Sequence, residues 1–208
     1  MIDSVYQAIF DLSEALEIPV VLATLLAVAL VVVEIGALIA ETLRRRRRDV
    51  ATLHRAADAA RAARDAGDPA AAGTALAAAS WSPVMARTAA EMARTVEEHR
   101  IAKLLADFDF DRQRVLGRTR LLVRWGPALG LMGTLIPLAP ALEGLADGDV
   151  TALSDNLRLA FSVTVLGLLI GAVAFGISLR RDRVYAQDYS DLEYVAAVLT
   201  APAGEAVR

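Results

Sequence analysis

Two threonines, one glutamate and one arginine lie in or beside apolar runs of this 208-residue chain, where polar side chains are costly, and they are the first places to look for chemistry. Thr134 and Thr164 are the hydroxyls near the middle of two uncharged runs. An intramembrane hydroxyl either bonds a carbonyl of its own helix or lines a polar path, and spacing leaves both readings open. Glu34 is ionisable inside a third apolar run, where a charge near the bilayer centre costs at least ~2.5–3.5 kcal/mol. It is therefore expected to be protonated or ion-paired with an arginine of a neighbouring helix, with a role in ion transfer as the alternative. Arg158 stands at the edge of the last run, with Asp155 or an acid of another chain as its candidate ion-pair partner. Cys is absent, and His54 and His99 are far apart, so no catalytic or metal constellation can be assembled and neither an enzyme nor a cofactor is expected.

The elements that must position these residues are membrane helices. The chain is 56% hydrophobic with a mean hydropathy of +0.44, more apolar than one soluble domain of this length. Pro19 to Leu43 exceeds the ~20 apolar residues that a spanning helix needs, with Glu34 and Glu41 its only ionisable residues. The residues before it carry Asp3, Asp11, Glu14 and Glu17 and no base, so it reads as a retained span and not as a cleaved signal peptide. Trp125 to Leu142 and Leu159 to Leu179 are uncharged and complete an all-α integral membrane fold of three spans. The second is broken by Pro127, Pro137 and Pro140, which a membrane helix tolerates only where neighbouring protein satisfies the freed backbone, so it is expected inside an assembly.

Bases cluster at one end of every span. Arg44 to Arg48 follow the first, Arg112 to Arg124 precede the second, and Arg180, Arg181 and Arg183 follow the third, whereas Arg158 alone lies opposite. Lys and Arg at span ends stay cytoplasmic, which predicts an outside N-terminus and a cytoplasmic C-terminus. The organisation is then an external segment 1–18, a first span 19–43, a cytoplasmic helical segment 44–120, a hairpin of two spans over 121–181 with an external loop at about 143–158, and a cytoplasmic helix and tail 182–208. The Arg run is also expected to meet anionic lipid, and a net charge of −3 points to no nucleic-acid partner. Within 44–120, Ala-rich sequence favours helix, with turns at Gly67-Asp68-Pro69 and Ser82-Pro83. Its larger apolar residues (Leu76, Trp81, Val84, Met85, Met92, Val96, Ile101, Leu104, Leu105, Phe108) look too few for a large independent core. Helices packing on each other and on other subunits are expected instead. His54 and His99 are expected to be solvated helix residues.

Small residues recur at helical spacing on both late spans: Gly126, Gly130, Gly133, Pro137, Ala141 and Gly144 on one, Ala160, Thr164, Gly167, Gly171, Ala174 and Ser178 on the other. Such stripes let backbones approach closely, which by itself means helix packing. Pro127-Ala-Leu-Gly-Leu-Met-Gly-Thr134 resembles the P-x-L-G-L-x-G-T segment of the MotA/TolQ/ExbB proton channel family, and Thr164-Val-Leu-Gly-Leu168 resembles its T-x-x-G-L. One outward N-terminus, three spans and a helical cytoplasmic segment make the chain similar to the ExbB/TolQ branch. The family's glutamate about five residues before the third-span threonine is Leu159 here, beside Arg158.

The resemblance implies a proton-channel, stator-like subunit of a motor driven by ion-motive force in the cytoplasmic (inner) membrane. It implies a homo-oligomer, by family a pentamer, around two copies of a single-span partner like ExbD, TolR or MotB, whose membrane aspartate carries the ion. Thr134 and Thr164 would face that pathway, and Pro127, Gly130, Gly133, Pro137, Ala160, Gly167 and Gly171 would pack the helices around the pore. The ion is H+, with Na+ left open. Two alternatives stand beside this reading: a homomeric ion channel, and a non-conducting membrane scaffold for a partner protein.

Overall fold

The computed structural model describes residues 2–46, 49–95 and 97–201, all helix and turn. Arg47, Arg48, Val96 and the tail 202–208, named above, lie outside the described residues. Seven helices follow in order: α1 (Ile2–Ala15), α2 (Glu17–Arg45), α3 (Val50–Asp65), α4 (Pro69–Ala79), α5 (Pro83–Arg94), α6 (Glu98–Ala146) and α7 (Val150–Thr200). Three helical stretches are long and apolar enough to cross a membrane: Ser4–Arg45, Glu98–Ala146 and Val150–Thr200. The chain divides into two compact units, one built from Met1–Gly36 with Gly117–Leu179 and one from Ala37–Leu116 with Arg180–Arg208.

The turns follow from local chemistry. At Gly67 and Gly148 the backbone is left-handed, φ 82° and 79°, which glycine adopts without the steric cost of a Cβ. Each closes its helix the same way: Gly67 N–H bonds Arg64 C=O and Asp68 N–H bonds Ala63 C=O, while Gly148 N–H bonds Leu145 C=O and Asp149 N–H bonds Gly144 C=O. The following aspartate then starts the next helix. Asp68 Oδ1 accepts from Ala71 N–H at 2.9 Å ahead of Pro69, and Asp149 Oδ1 accepts from Thr151 and Ala152 N–H, both at 3.0 Å. Ser82 Oγ accepts from Met85 N–H at 3.2 Å and starts α5 at Pro83. The connection of α6 to α7 is therefore only Asp147 to Asp149; the rest of the stretch expected as a loop, 143–146 and 150–158, is helical.

In the unit formed by 37–116 and 180–208, α3, α4 and α5 pack with the start of α6 and the end of α7. Leu53, Leu76, Met85, Met92, Leu192, Val195 and Leu199 are fully enclosed, each side chain worth about 1.5–3 kcal/mol when removed from water. The expectation of too few core residues is corrected here. It did not count Ala57, Ala60, Ala72, Ala89 and Ala93, all 0% exposed, whose short side chains let helices approach, nor the end of α7. Val84, named as a core candidate, is 48% exposed, and Leu104 and Leu105 are half-buried.

The other unit holds the apolar parts of α2, α6 and α7. Val20, Ala27 and Val31 of α2 pack with Leu122 and Leu129 of α6 and Ile170 and Ala174 of α7, at the spacing of one helical face. Thr24, 1% exposed on that face, returns its hydroxyl to Val20 C=O at 2.8 Å. The outward faces stay apolar and open, among them Leu131, Leu135, Phe161, Val165 and Leu168.

Candidate functional site

The site lies on the α6–α7 hairpin, whose two small-residue stripes are buried and abut. Gly126, Gly130, Gly133, Pro137 and Ala141 of α6 are buried, as are Ala160, Gly167, Gly171, Ala174 and Ser178 of α7. A Cβ placed on Gly167 would lie 2.5 Å from Gly126 C=O and 2.7 Å from Gly130 Cα. One on Gly126 would lie 2.7 Å from both Gly167 C=O and Gly171 N, and one on Gly133 would meet Val163 Cγ1 at 2.2 Å. At Gly126 and Gly167 the two backbones are in contact and no side chain fits between them, whereas at Gly133 the Val163 side chain fills the space. α6 continues through its three prolines. Pro127 is exposed, but its ring lies beside α7: a Cβ on Gly171 would meet Pro127 Cδ at 2.9 Å and stand 3.5 Å from Val123 C=O, the carbonyl that Pro127 cannot bond.

Both threonines are half-buried on this hairpin. The Thr164 hydroxyl donates within its own helix to Ala160 C=O at 2.9 Å and across to Gly130 C=O at 3.2 Å. Thr134 Oγ1 donates to Leu131 C=O at 2.7 Å. A hydroxyl has one proton and two lone pairs, so each oxygen has its donor engaged inside the chain and keeps acceptor capacity. Water, hydronium or a protonated carboxyl can donate to such an oxygen; a carboxylate cannot use it without the hydroxyl turning.

The remaining candidates are not gathered at this hairpin seam. Glu34 is half-buried on α2. Arg158 is exposed and forms no ion pair among the described residues, Asp155 included. His54 is exposed against the Tyr194 ring, centroids 4.2 Å apart, and His99 Nε2 lies 3.3 Å from Glu97 Oε2.

Sequence reasoning missed a second polar cluster, where the end of α2 meets residues 181–188 of α7 in the unit formed by 37–116 and 180–208. Arg45 grips Asp188 through both carboxylate oxygens, Nη1 to Oδ1 at 2.6 Å, and Trp81 Nε1 donates to the same Oδ1 at 2.9 Å. Asp188 is 1% exposed, so this is a desolvated, fork-shaped pair. One turn earlier, Glu41 receives Arg181 Nε at 3.4 Å and the Tyr185 hydroxyl at 3.1 Å. The signal is faint but present: Glu41 and Arg45 are four apart on one helix, and Arg181, Tyr185 and Asp188 sit four and three apart on the other, so each set lies on one face. Their mutual pairing is tertiary and cannot be read from either helix alone. A cavity of about 190 Å3 opens beside Arg45, Trp81, Phe108 and Arg112, whose Nε is the buried side-chain polar atom without a partner among the described residues.

Three helices able to span a bilayer, two of them joined by a glycine seam, define a multi-pass helical membrane protein. The chain belongs to the MotA/TolQ/ExbB proton channel family, whose sequence model matches residues 85–190. That stretch takes in nearly all of α5, all of α6 and most of α7, with both threonines and the whole glycine seam. It is a family of channel and transport subunits, not of enzymes. No curated protein and no solved structure matches the chain.

Proposed function

We propose that this chain is the channel-forming, stator-like subunit of a complex that turns ion-motive force into mechanical work. The observation that carries the reading is the family match over the glycine-packed hairpin, which holds Thr134 and Thr164 with their acceptor oxygens unspent. Five copies would ring two single-span partner helices like those of ExbD, TolR or MotB. The uncharged runs Trp125 to Leu142 and Leu159 to Leu179 contain no acid, so the group that takes and releases the ion comes from the partner's membrane aspartate. In its protonated state that carboxyl donates to the threonine oxygens, and the threonines thereby favour the neutral carrier in a low-dielectric space. Pro127, Pro137 and the buried small residues, Ala160 included, hold the hairpin rigid around the path. Glu34 serves as a structural partner within the helices, and Arg158 meets an acid of another chain at the outer mouth.

The clustered bases support an outside N-terminus and a cytoplasmic C-terminus in the inner membrane. Three spans with a long helical segment after the first favour the ExbB/TolQ branch.

The test is ion flux in liposomes holding the chain with its partner, or the chain alone, under H+ and Na+ gradients. Thr164→Val keeps the volume and removes the hydroxyl, at a cost of ~1–3 kcal/mol where the lost bond is made in the rate-limiting step, or about tenfold or more in rate. Partner-dependent flux that falls in Thr164→Val and Thr134→Val at equal assembly is expected. Flux from the chain alone selects a homomeric channel, and no flux in either preparation selects a scaffold. Unchanged flux in both variants removes the threonines from the path.

A further inference from the structure

A second concave feature lies between the end of α2 and residues 180–184 of α7: a cleft of about 350 Å3 bordered by Arg45, Arg46, Arg180, Arg181, Glu41 and Thr42. We infer that it is a binding site for the headgroup of an anionic phospholipid. Its cations fall into two kinds. Arg45 is held by Asp188 and Arg181 by Glu41, so those two are neutralised and fixed in place. Arg46 and Arg180 are exposed and form no ion pair among the described residues, which leaves two guanidinium groups unopposed at the rim. Thr42 spends its proton on Leu38 C=O at 2.8 Å and offers a ligand no donor. The cleft therefore presents cationic donors to whatever enters, and a guanidinium fork matches two oxygens of a phosphate.

Depth selects the source of that phosphate. The uncharged run of α7 ends at Leu179, directly before Arg180, and the apolar run of α2, interrupted by Glu34, meets its next charges at Glu41 and Arg44. Both helices leave the hydrocarbon here, at the level where lipid phosphates lie. Leu38 and Val184 form the apolar flank of the cleft, and Ile39 and Leu43 are exposed on the same stretch of α2, so a lipid seated by its phosphate finds apolar surface for its chains. Basic pockets between membrane helices at this level take acidic headgroups, whereas a zwitterionic headgroup would bring its own cation against the arginines. The inference needs only that α2 and α7 cross the membrane, and it stands or falls independently of whether the protein conducts.

The experiment uses the full chain reconstituted in vesicles of mixed phosphatidylglycerol and phosphatidylcholine, extracted in mild detergent, with the retained lipid identified by mass spectrometry. Enrichment of phosphatidylglycerol is expected, undiminished by excess inorganic phosphate. Arg46→Gln with Arg180→Gln should reduce it by about fivefold for each arginine removed. Arg114→Gln with Arg183→Gln removes two exposed charges outside the cleft and should leave it unchanged. Arg46→Lys with Arg180→Lys keeps the charge and loses the fork, and should fall between; it carries the test should the Gln pair fail to fold. Equal loss in the control pair, wild-type enrichment in the Lys pair, no enrichment at all, or displacement of the lipid by free phosphate would each overturn the site.

Discussion

Adding one methyl group at Gly167 tests the hairpin more sharply than any other change. The Cβ would stand 2.5 Å from Gly126 C=O, 2.7 Å from Gly130 Cα and 2.8 Å from Gly130 N. Comfortable contact is about 3.5 Å or more, so relief requires a shift of about 1 Å. All three obstacles are backbone, and only separation of α6 from α7 provides it. Overpacking of this kind costs about 1–3 kcal/mol. Separation would also lengthen the Thr164 bond to Gly130 C=O, already 3.2 Å, past useful range. Gly176 supplies the control: it is on the same helix, and a Cβ there meets nothing within 4 Å. Alanine at an open helical position is favoured over glycine by up to about 1 kcal/mol. Thermal unfolding of the purified chain in detergent should therefore show Gly167→Ala less stable than wild type and Gly176→Ala at least as stable. Equal midpoints for the two variants would refute the backbone contact on which the site geometry rests.

Asp188→Ala should destabilise the chain by about 3–5 kcal/mol by stranding Arg45 in a largely desolvated place, and Arg45→Met with Asp188→Leu should recover much of it; denaturant titration compares them. Gly148→Ala places a Cβ at φ 79°, a left-handed conformation that costs an ordinary residue about 1–2 kcal/mol, and a reduced melting temperature is expected. Orientation is open to a direct test because the chain has no cysteine: Asp147→Cys should react with an impermeant thiol reagent added outside intact cells and Thr74→Cys should not, and the reverse pattern would overturn the proposed topology. Asp49, which caps α3, has its carboxyl held below the ordinary value of 3.8, chiefly by hydrogen bonding from the Thr52 hydroxyl. A lowered folded-state value means that this contribution is whole above the ordinary value and lost as pH falls through the lowered one, so the protection of amides at the start of α3, relative to the intrinsic exchange rate at each pH, should fall only in strong acid; protection lost between neutral pH and the ordinary value would contradict the cap.

What the sequence made legible were features written in local patterns. The three apolar helices follow from apolar runs close to or beyond the length a bilayer needs, two of them uncharged, and the turns at Gly67-Asp68-Pro69 and Ser82-Pro83 from residues whose backbone preferences stop one helix and start another. The small-residue stripes announced close packing, though not which carbonyl each glycine would touch. Three things were not legible, each for a physical reason. The alanine-built core was discounted because hydrophobic size was counted and helix proximity was not. The loop expected at about 143–158 shrinks to Asp147–Asp149 because the ends of the uncharged runs mark where the membrane helices lose their apolar face, not where they stop: Glu143 and Asp155 sit exposed on helix. Arg45, Trp81 and Asp188 come from three distant segments, and only the tertiary fold makes them one cluster.

The glycine seam also limits where anything can permeate. Between α6 and α7, at Gly126, Gly130, Gly133 and Gly144, the gap does not admit a methyl group without displacement, and a water molecule is of similar girth. A file of waters therefore cannot run down the inside of this hairpin, and the two helices act as one sealed wall. Any water-filled path must follow an outer face of that wall, past side chains such as Leu131, Leu135, Phe161 and Val165, and not the seam itself.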